Sequence, residues 1–297
     1  MNNDKVATIL VTFNRLELLK KSIKKLEQQT YQISKIFIIN NCSTDDTAEY
    51  LNNFNNNNLF QIINLDNNIG GAGGFSYGLK ESHNQGDYDF YWIMDDDTMP
   101  EPTALEELMQ VDCKNGVLAS NVLWGNTNSP AIMNVPEPDR YWTTGSLDGL
   151  NKIKSTSFVS MLVSNNALEE CGLPIKEFFI WGDDVEFSRR IIRKFGGYFV
   201  PNSIVRHETK NNTTVDIIEE NNPNRLGRYF YAVRNKMFMD KQDGIKSLLK
   251  NECSYFMLIF KIIFSKNEFK IEKIKNVVKG HLFGIVFNPK IRYIKNK

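Results

Sequence analysis

Three consecutive carboxylates follow the apolar segment DFYWIM (89–94), and they carry the strongest chemical signal in the sequence. Because the side chains of an extended strand alternate between its two faces, we expect Asp95 and Asp97 to point the same way. Two neighbouring carboxylates form a hard oxygen site of the kind that Mg²⁺ or Mn²⁺ prefers. A solvated acidic loop is the alternative, but the apolar lead-in places these acids at the mouth of a buried strand. We therefore predict a divalent metal site at Asp95 and Asp97.

A second pair of acids, Asp183 and Asp184, stands in WGDDVE (181–186), at the start of a helix predicted over 181–197. A helix N-terminus stabilises the ionised form of a carboxylate, so we expect a lowered pKa there. An ionised carboxylate can accept a proton from a hydroxyl group. Acids at this position also commonly cap helices. One of the two could therefore cap the helix while the other acts as a catalytic base.

The segment NNIGGAGGF (67–75) reads as a glycine-rich turn after a strand. It differs from the dinucleotide-binding fingerprint, because the turn after the first strand, TFNR, contains no glycine. Glycine-rich turns are often only turns. Beside a site for a diphosphate, however, such a turn would let the backbone approach a nucleotide or a sugar closely.

The segments that position these residues alternate between strand and helix. The β-branched run VATILVT (6–12) is typical of a buried parallel strand, and the segment from Leu16 has helical apolar spacing. Further strands are predicted at 35–40, 59–65, 89–94, 117–123, 156–164 and 198–208, with helices at 46–54 and 75–83. This order indicates an α/β fold with a mostly parallel sheet, whose ligands bind at the carboxyl ends of the strands. His207 falls at the end of the last strand, where a single histidine is more often structural than a ligand.

The overall composition excludes several classes of protein. The 297 residues carry 36 Lys and Arg against 35 Asp and Glu, a net charge of +1, which gives no general case for nucleic-acid binding. The four cysteines form no CxxC pair, which argues against a zinc ribbon or a disulfide framework and fits a reducing cytosol; they are Cys42, Cys113, Cys171 and Cys253. We see no secretory signal and no apolar run of about 20 residues that would span a membrane.

The charge is unevenly distributed along the chain. Residues 245–297 contain 12 Lys and Arg against three acids, so this region carries +9 and the rest of the chain −8. A basic, aromatic-rich helical region predicts helices on an anionic membrane surface. The alternative is a helical subdomain that packs its apolar face on the main domain. We predict an α/β domain over 1–220 and a basic helical region over 221–297.

Taken in order, six segments resemble the motifs of family 2 glycosyltransferases over about residues 5–210: VTFNR, INNCSTDDT, NIGGAGG, WIMDDDT, WGDDVEFSRR and VRHE. Within that family, NIGGAGGF and W-x-DD-x-E resemble the galactofuranosyltransferase and rhamnosyltransferase branch, and galactofuranosyl enzymes in particular. The resemblance implies a GT-A fold, which is Rossmann-like with a mostly parallel sheet flanked by helices, here with a C-terminal helical extension.

The same resemblance implies an inverting, metal-dependent transfer of a sugar to a glycan or polyprenyl-diphosphate-linked acceptor. The setting would be the cytoplasmic face of a bacterial membrane, in cell-surface polysaccharide synthesis. UDP-galactofuranose is the first expectation for the donor. The alternatives are a rhamnosyl- or other hexosyltransferase using dTDP-rhamnose or another UDP-sugar, and a non-catalytic nucleotide-sugar-binding module.

The resemblance also implies roles for individual residues. The donor-binding set is Thr12, Phe13, Arg15, Asn41, Asn68, Gly73, Gly74, Asp95 and Asp96. The metal, Mn²⁺ or Mg²⁺, would be held by Asp95, Asp97 and His207. Asp184 would be the catalytic base and Asp183 its neighbour that positions the acceptor, together with Trp181. Galactofuranosyl polymerases carry paired tryptophans before the WDD element, but 158–164 (FVSMLVS) has none, so Trp142 with Tyr141 is a candidate aromatic platform.

Overall fold

The computed structural model describes residues 4–112, 115–143 and 150–294. Cys113 and the last three residues of the basic region lie outside these ranges. The chain forms two compact units. Unit 1 comprises the residues up to Lys176, Asp184–Thr213 and the residues from Ile291 onward, and unit 2 comprises Glu177–Asp183 and Thr214–Lys290. The sequence gives no sign that a short segment before Asp184 belongs to the second unit.

Unit 1 is built on one sheet. In the described part of the chain its strands are β1 (Val6–Thr12), β2 (Lys35–Asn40), β3 (Phe60–Asn64), β4 (Phe90–Asp95), β5 (Thr98–Pro100), β6 (Val117–Trp124), β7 (Glu137–Pro138), β8 (Asn151–Ser155), β9 (Met161–Ser164) and β10 (Gly197–His207). Their order is β3-β2-β1-β4-β9-β6-β10-β8-β7, with β5 paired to β10. β3, β2, β1 and β4 are parallel, and β9 runs antiparallel between β4 and β6.

Helices flank this sheet and also form most of unit 2. They are α1 (Leu16–Glu27), α2 (Thr47–Leu51), α3 (Gly70–Gln85), α4 (Ala104–Met109), α5 (Asn165–Cys171), α6 (Asp183–Phe195), α7 (Pro223–Leu226), α8 (Arg228–Gln242), α9 (Ile245–Phe264) and α10 (Lys270–Val286). The predicted α/β fold is confirmed. No helix within the described ranges has both the length and the hydropathy needed to cross a bilayer.

The central strands are buried on both faces. Leu10 and Trp92 belong to one core cluster, whereas their neighbours in the chain, Ile9 and Ile93, belong to another. Successive side chains of a strand point to opposite faces, so both faces of the sheet are covered. This explains why the strands read as continuous apolar runs, and it leaves the strand ends as the places where polar side chains collect.

The predicted strand at 156–164 is wrong in extent. The structure has two strands, β8 and β9, separated by residues that include Ser160, whose φ is 66°. The Ser160 hydroxyl is fully buried, accepts a hydrogen bond from Trp92 Nε1 at 2.9 Å and lies 2.6 Å from Ser120 Oγ. A buried polar network therefore interrupts the strand, and the apolar spacing of the sequence does not reveal it.

The glycine-rich segment is also not the turn that its composition predicts. Helix α3 begins at Gly70 and includes Gly73, Gly74 and Gly78. A Cβ atom at Gly74 would lie 2.7 Å from Val11 Cγ1, and one at Gly78 would lie 2.7 Å from Ile9 Cγ2. The glycines therefore allow the helix to lie directly against β1, a packing requirement that outweighs their poor helix propensity.

Candidate active site

The polar residues predicted to bind donor and metal meet where three strands end. Asp95 is the last residue of β4 and lies opposite Val11 of β1, which places Asp96 beside the end of β1. His207 ends β10 and pairs with Thr98 of β5, the residue that follows Asp97. The strand register thus brings together residues that are more than 100 positions apart in the chain.

Asp95, Asp97 and His207 each offer one ligand atom, and these atoms lie within 4.8 Å of one another. His207 Nε2 is 3.0 Å from Asp97 Oδ1, and the other oxygen of Asp97 accepts a hydrogen bond from Arg15 Nη1 at 2.5 Å. Arg15 also contacts Asp96 Oδ1 at 3.1 Å. The cluster provides two carboxylates and one imidazole, a ligand set that suits Mn²⁺ or Mg²⁺.

The pKa values in this cluster show crowded negative charge. Burial, followed by the charge of Asp97, raises the pKa of Asp95 to about 7. Burial alone would also raise the pKa of Asp97, but the hydrogen bond and charge of His207, with the charge of Arg15, lower it. Burial would lower the pKa of His207, and its hydrogen bond to Asp97 raises it instead. A divalent cation would relieve the repulsion between the carboxylates.

The other ring nitrogen of His207 is held by Asn134. Nδ1 lies 2.8 Å from Asn134 Oδ1, and Asn134 Nδ2 donates to Ser157 Oγ at 3.0 Å. Asn134 and Ser157 are both buried. With the Asn134 oxygen accepting from Nδ1–H, the protonated ring donates Nε2–H to Asp97. Loss of that Nε2 proton would leave the Nε2 lone pair available to a metal ion. Sequence reasoning did not find Asn134, because nothing distinguishes it from the many other asparagines.

Four predicted donor-binding residues lie together at the end of β1. Asp96 accepts hydrogen bonds from Thr12 Oγ1 at 2.8 Å, from the Phe13 N–H at 3.3 Å and from Arg15. Burial raises the pKa of Asp96 to about 6, although the positive charge of Arg15 opposes this. The ring of Phe13 is exposed. This surface combines an aromatic ring with a guanidinium group, which suits a nucleotide diphosphate.

The remaining predicted donor-binding residues meet at the start of α3. Asn41 is buried, its Nδ2 donates to the Gly70 carbonyl at 3.0 Å, and its Oδ1 accepts from the Ile69 N–H at 3.0 Å. Asn68 Oδ1 accepts from the Gly70 N–H at 2.8 Å. Both asparagines therefore fix the backbone that leads into the helix, next to Gly73 and Gly74. A contact between Asn41 and a nucleobase remains a prediction.

Asp184 lies in the first turn of α6, as predicted, but the expected direction of its pKa shift is wrong. Burial raises the pKa of Asp184 to about 6 and outweighs the stabilising hydrogen bonds, among them one from the Val185 N–H at 2.8 Å. The helix N-terminus stabilises the charge less than burial destabilises it. A carboxylate with this pKa is mostly ionised at neutral pH and still binds a proton well enough to act as a general base.

The start of α6 is anchored by Ser188. Its hydroxyl lies 2.7 Å from the carbonyl oxygen of Asp184 and 3.0 Å from that of Thr156, and it accepts from the Thr156 N–H at 3.0 Å. The segment at 156 precedes Ser157, which contacts Asn134. A continuous chain of contacts therefore links the helix that carries Asp184 to His207, the predicted metal ligand.

The residues predicted to bind the acceptor differ from one another in burial. Asp183 is buried, and Trp181 packs its ring 5.1 Å from that of Tyr229 within unit 2. Trp142 and Tyr141 are exposed, and they precede residues 144–149, which lie outside the described ranges. A role for any of these residues in acceptor binding remains a prediction.

The match to a known family decides the class of protein. The family model described as glycosyl transferase family 2 matches residues 8–172, more than half of the chain. The chain belongs to glycosyl transferase family 2. It is similar to the galactofuranosyltransferase GlfT1 of Mycolicibacterium smegmatis, with 24% identity over 274 residues, covering 83% of this chain and 86% of that protein.

Solved structures show the same fold. TarS 1-349 of S. aureus in complex with UDP gives a TM-score of 0.55 at 12% identity, covering 95% of this chain and 72% of that chain. The structure of GalNAc-T7 with UDP, GalNAc and Mn²⁺ gives a TM-score of 0.60 at 14% identity, covering 80% of this chain and 48% of that chain. The chain spans 43% of the longer TarS structure. The GT-A fold is confirmed, and this family 2 protein is a glycosyltransferase.

Proposed function

We propose that this glycosyltransferase transfers galactofuranose from UDP-galactofuranose, with inversion and with Mn²⁺ or Mg²⁺, to a glycan or polyprenyl-diphosphate-linked acceptor in bacterial cell-surface polysaccharide synthesis. The main support for a metal-dependent transfer is the cluster of Asp95, Asp97 and His207. The choice of sugar is supported by the similarity to GlfT1, which extends over most of both chains. The segments NIGGAGGF and WGDDVE support the same choice.

In this reaction Asp184 takes the proton of the acceptor hydroxyl as the hydroxyl oxygen attacks the anomeric carbon of the donor. The new C–O bond forms on the face opposite the breaking bond to phosphate, so the configuration inverts. The nucleoside diphosphate leaves with the bonding electron pair. A cation held by Asp95, Asp97 and His207 would supply charge neutralisation for that leaving group.

Arg15 prepares the donor side of the site. Burial alone would lower its pKa, but the surrounding carboxylates, Asp97 foremost, raise the pKa and keep the guanidinium charged. Its contacts with Asp96 and Asp97 hold both carboxylates in place before a donor arrives. We assign acceptor binding to Trp181 and Asp183, which lie within three residues of the base in the chain.

A screen of nucleotide sugars tests the donor assignment. We expect transfer and slow donor hydrolysis with UDP-galactofuranose, and little with UDP-galactopyranose, UDP-glucose or dTDP-rhamnose. Turnover with dTDP-rhamnose alone would overturn the galactofuranose assignment and leave the family unchanged. Binding of several nucleotide sugars without turnover of any of them would indicate the non-catalytic module instead.

We further propose that unit 2 attaches the enzyme to the anionic inner face of the membrane. Leu249, Phe256 and Phe260 of α9 are exposed and are spaced by seven and four residues, so they share one face of the helix. Exposed apolar side chains continue on α10 with Leu282 and Phe283. Residues 245–290 of unit 2 contain nine Lys and no Arg against three acids, and this positive excess complements acidic lipid headgroups.

Vesicle flotation tests this attachment. We expect the protein to float with vesicles that contain phosphatidylglycerol, and much less with pure phosphatidylcholine vesicles or in high salt. Phe260→Glu should reduce flotation, because it places a charge in the apolar face. Tyr77→Glu, at an exposed aromatic residue of α3, is the control and should float normally. Equal flotation of both variants would show that α9 is not the attachment surface.

A further inference from the structure

The segment Glu177–Asp183, which leads into the base Asp184, has an unusual backbone conformation. Phe179 has a φ of 65°, Trp181 of 64° and Gly182 of 86°. Two of these are bulky residues in the left-handed region, where non-glycine residues are strained. Such a conformation persists only when its surroundings hold it in place. The residues that hold it therefore control the entry of the chain into the catalytic helix.

One side chain of α8 contacts this segment at three points. Asn235 is fully buried, and its Nδ2 lies 3.0 Å from the carbonyl oxygen of Phe178, 3.2 Å from that of Ile180 and 2.9 Å from that of Trp181. These carbonyls belong to the strained stretch itself. A buried carbonyl without a hydrogen-bond donor loses its hydration without compensation, so the amide provides hydrogen bonds that no apolar side chain could provide.

The orientation of this amide is fixed by its neighbour Arg234. Arg234 Nε and Nη2 donate to Asn235 Oδ1 at 3.1 and 2.9 Å, so the NH₂ group of the amide must face the segment. Arg234 Nη2 also donates to the carbonyl of Glu177 at 2.5 Å. In each of these contacts with the segment, a side-chain N–H group of α8 is the donor and a backbone carbonyl of the segment is the acceptor.

Aromatic contacts to the same helix reinforce the arrangement. The ring of Phe179 stacks on Tyr231, with centroids 4.9 Å apart and an interplanar angle of 22°. The ring of Trp181 packs edge-on against Tyr229. Both the backbone and the side chains of the segment are therefore shaped by α8.

We propose that Asn235, oriented by Arg234, is a positioning residue for sugar transfer. It fixes the backbone of the segment that ends at Asp183, and Asp184 follows directly in the chain. The proposal rests on the proposed role of Asp184 as the base. It gives unit 2 a function in catalysis that is separate from membrane attachment.

The test compares two substitutions of Asn235 with one matched control. Asn235→Ala removes the amide, and Asn235→Asp keeps its volume and the acceptor for Arg234 but replaces the donor by a carboxylate. Asn276→Ala is the control, because Asn276 is also a buried asparagine of unit 2 and its Nδ2 donates to the carbonyl and the carboxylate of Glu272 in its own helix.

Fluorine NMR of protein labelled with 5-fluorotryptophan reports on the segment without relying on activity. The chain has 4 tryptophans, and Trp181→Phe identifies the resonance of Trp181. We expect both Asn235 variants to shift or broaden that resonance while those of Trp92 and Trp124 stay in place. We also expect kcat to fall by about 100-fold while the Kd for UDP with Mn²⁺ is unchanged. Asn276→Ala should change neither.

Any of four results would overturn the proposal. An unmoved Trp181 resonance in both variants would show that Asn235 does not hold the segment. An equal loss of kcat and UDP affinity, or a loss of all four resonances, would show a general structural role. Unchanged kcat with a shifted resonance would show that the segment does not serve the reaction. If the unsubstituted protein transfers no sugar, the proposed function fails, and the fluorine spectra still decide whether Asn235 shapes the segment.

Discussion

Two glycines near the start of α3 have opposite surroundings, and replacing each with alanine tests how this helix packs. A Cβ atom at Gly71 would meet nothing within 4 Å, whereas one at Gly74 would lie 2.7 Å from Val11 Cγ1 and 3.3 Å from Val11 Cγ2. Both positions lie in the helix and neither has a positive φ. The two substitutions therefore differ in packing and share the same change in helix propensity.

The expected difference in stability follows from these distances. Replacing glycine by alanine inside a helix gains about 1 kcal/mol in the free energy of unfolding. At Gly74 the new methyl group must displace Val11, which is buried in β1 and stiff about χ1. Overpacking of this kind costs about 1–3 kcal/mol. Gly71→Ala should therefore be more stable than Gly74→Ala by about 1–3 kcal/mol.

Chemical denaturation with guanidinium chloride, followed by circular dichroism, measures this difference. The comparison is valid when both variants unfold with the same dependence on denaturant. Equal stability of the two variants would refute the close packing of α3 on β1. A loss of stability in Gly71→Ala would show that the helix begins after Gly71, as the sequence alone predicts.

Three further predictions concern the site. Asp97→Ala should make UDP binding insensitive to Mn²⁺, because the substitution removes a proposed metal ligand. Calorimetry of UDP binding with Mn²⁺ and with a chelator checks this, and a retained effect of Mn²⁺ would contradict the metal assignment. Asn134→Ala should weaken Mn²⁺ affinity by about 10–100-fold, because the His207 ring is then no longer held in its orientation. Mn²⁺ titrations followed by electron paramagnetic resonance measure this affinity, and an unchanged Kd would argue against a role of Asn134 in orienting His207. Because Asp184 must be ionised to accept a proton and its pKa is raised to about 6, kcat should fall as the pH drops below about 6; a flat kcat profile between about pH 5 and pH 8 would exclude this base.

The strands were predictable where burial on both faces makes the sequence continuously apolar. The predicted strands at 6–12 and 35–40 have the same bounds as β1 and β2. The start of α3 was not predictable, because glycine disfavours helices locally and its advantage here comes from contact with β1. Local propensity fails where tertiary packing decides the outcome.

The site shows the same division between local and tertiary information. Asp95, Asp97 and His207 stand in recognisable segments, and the structure brings them together. The supporting residues Asn134 and Asn235 act on groups 73 and 54 residues away in sequence, so no local pattern marks them. The pKa of Asp184 was predicted in the wrong direction for a related reason, since its burial depends on the folded surroundings.

The most direct test of the proposed mechanism is the effect of Asp184→Asn on turnover and on donor binding, measured on the same preparation. We expect kcat for sugar transfer to fall by about 100-fold or more, while the Kd for UDP with Mn²⁺ stays the same. Transfer at the unsubstituted rate, or a loss of donor affinity equal to the loss of turnover, would contradict the assignment of Asp184 as the base.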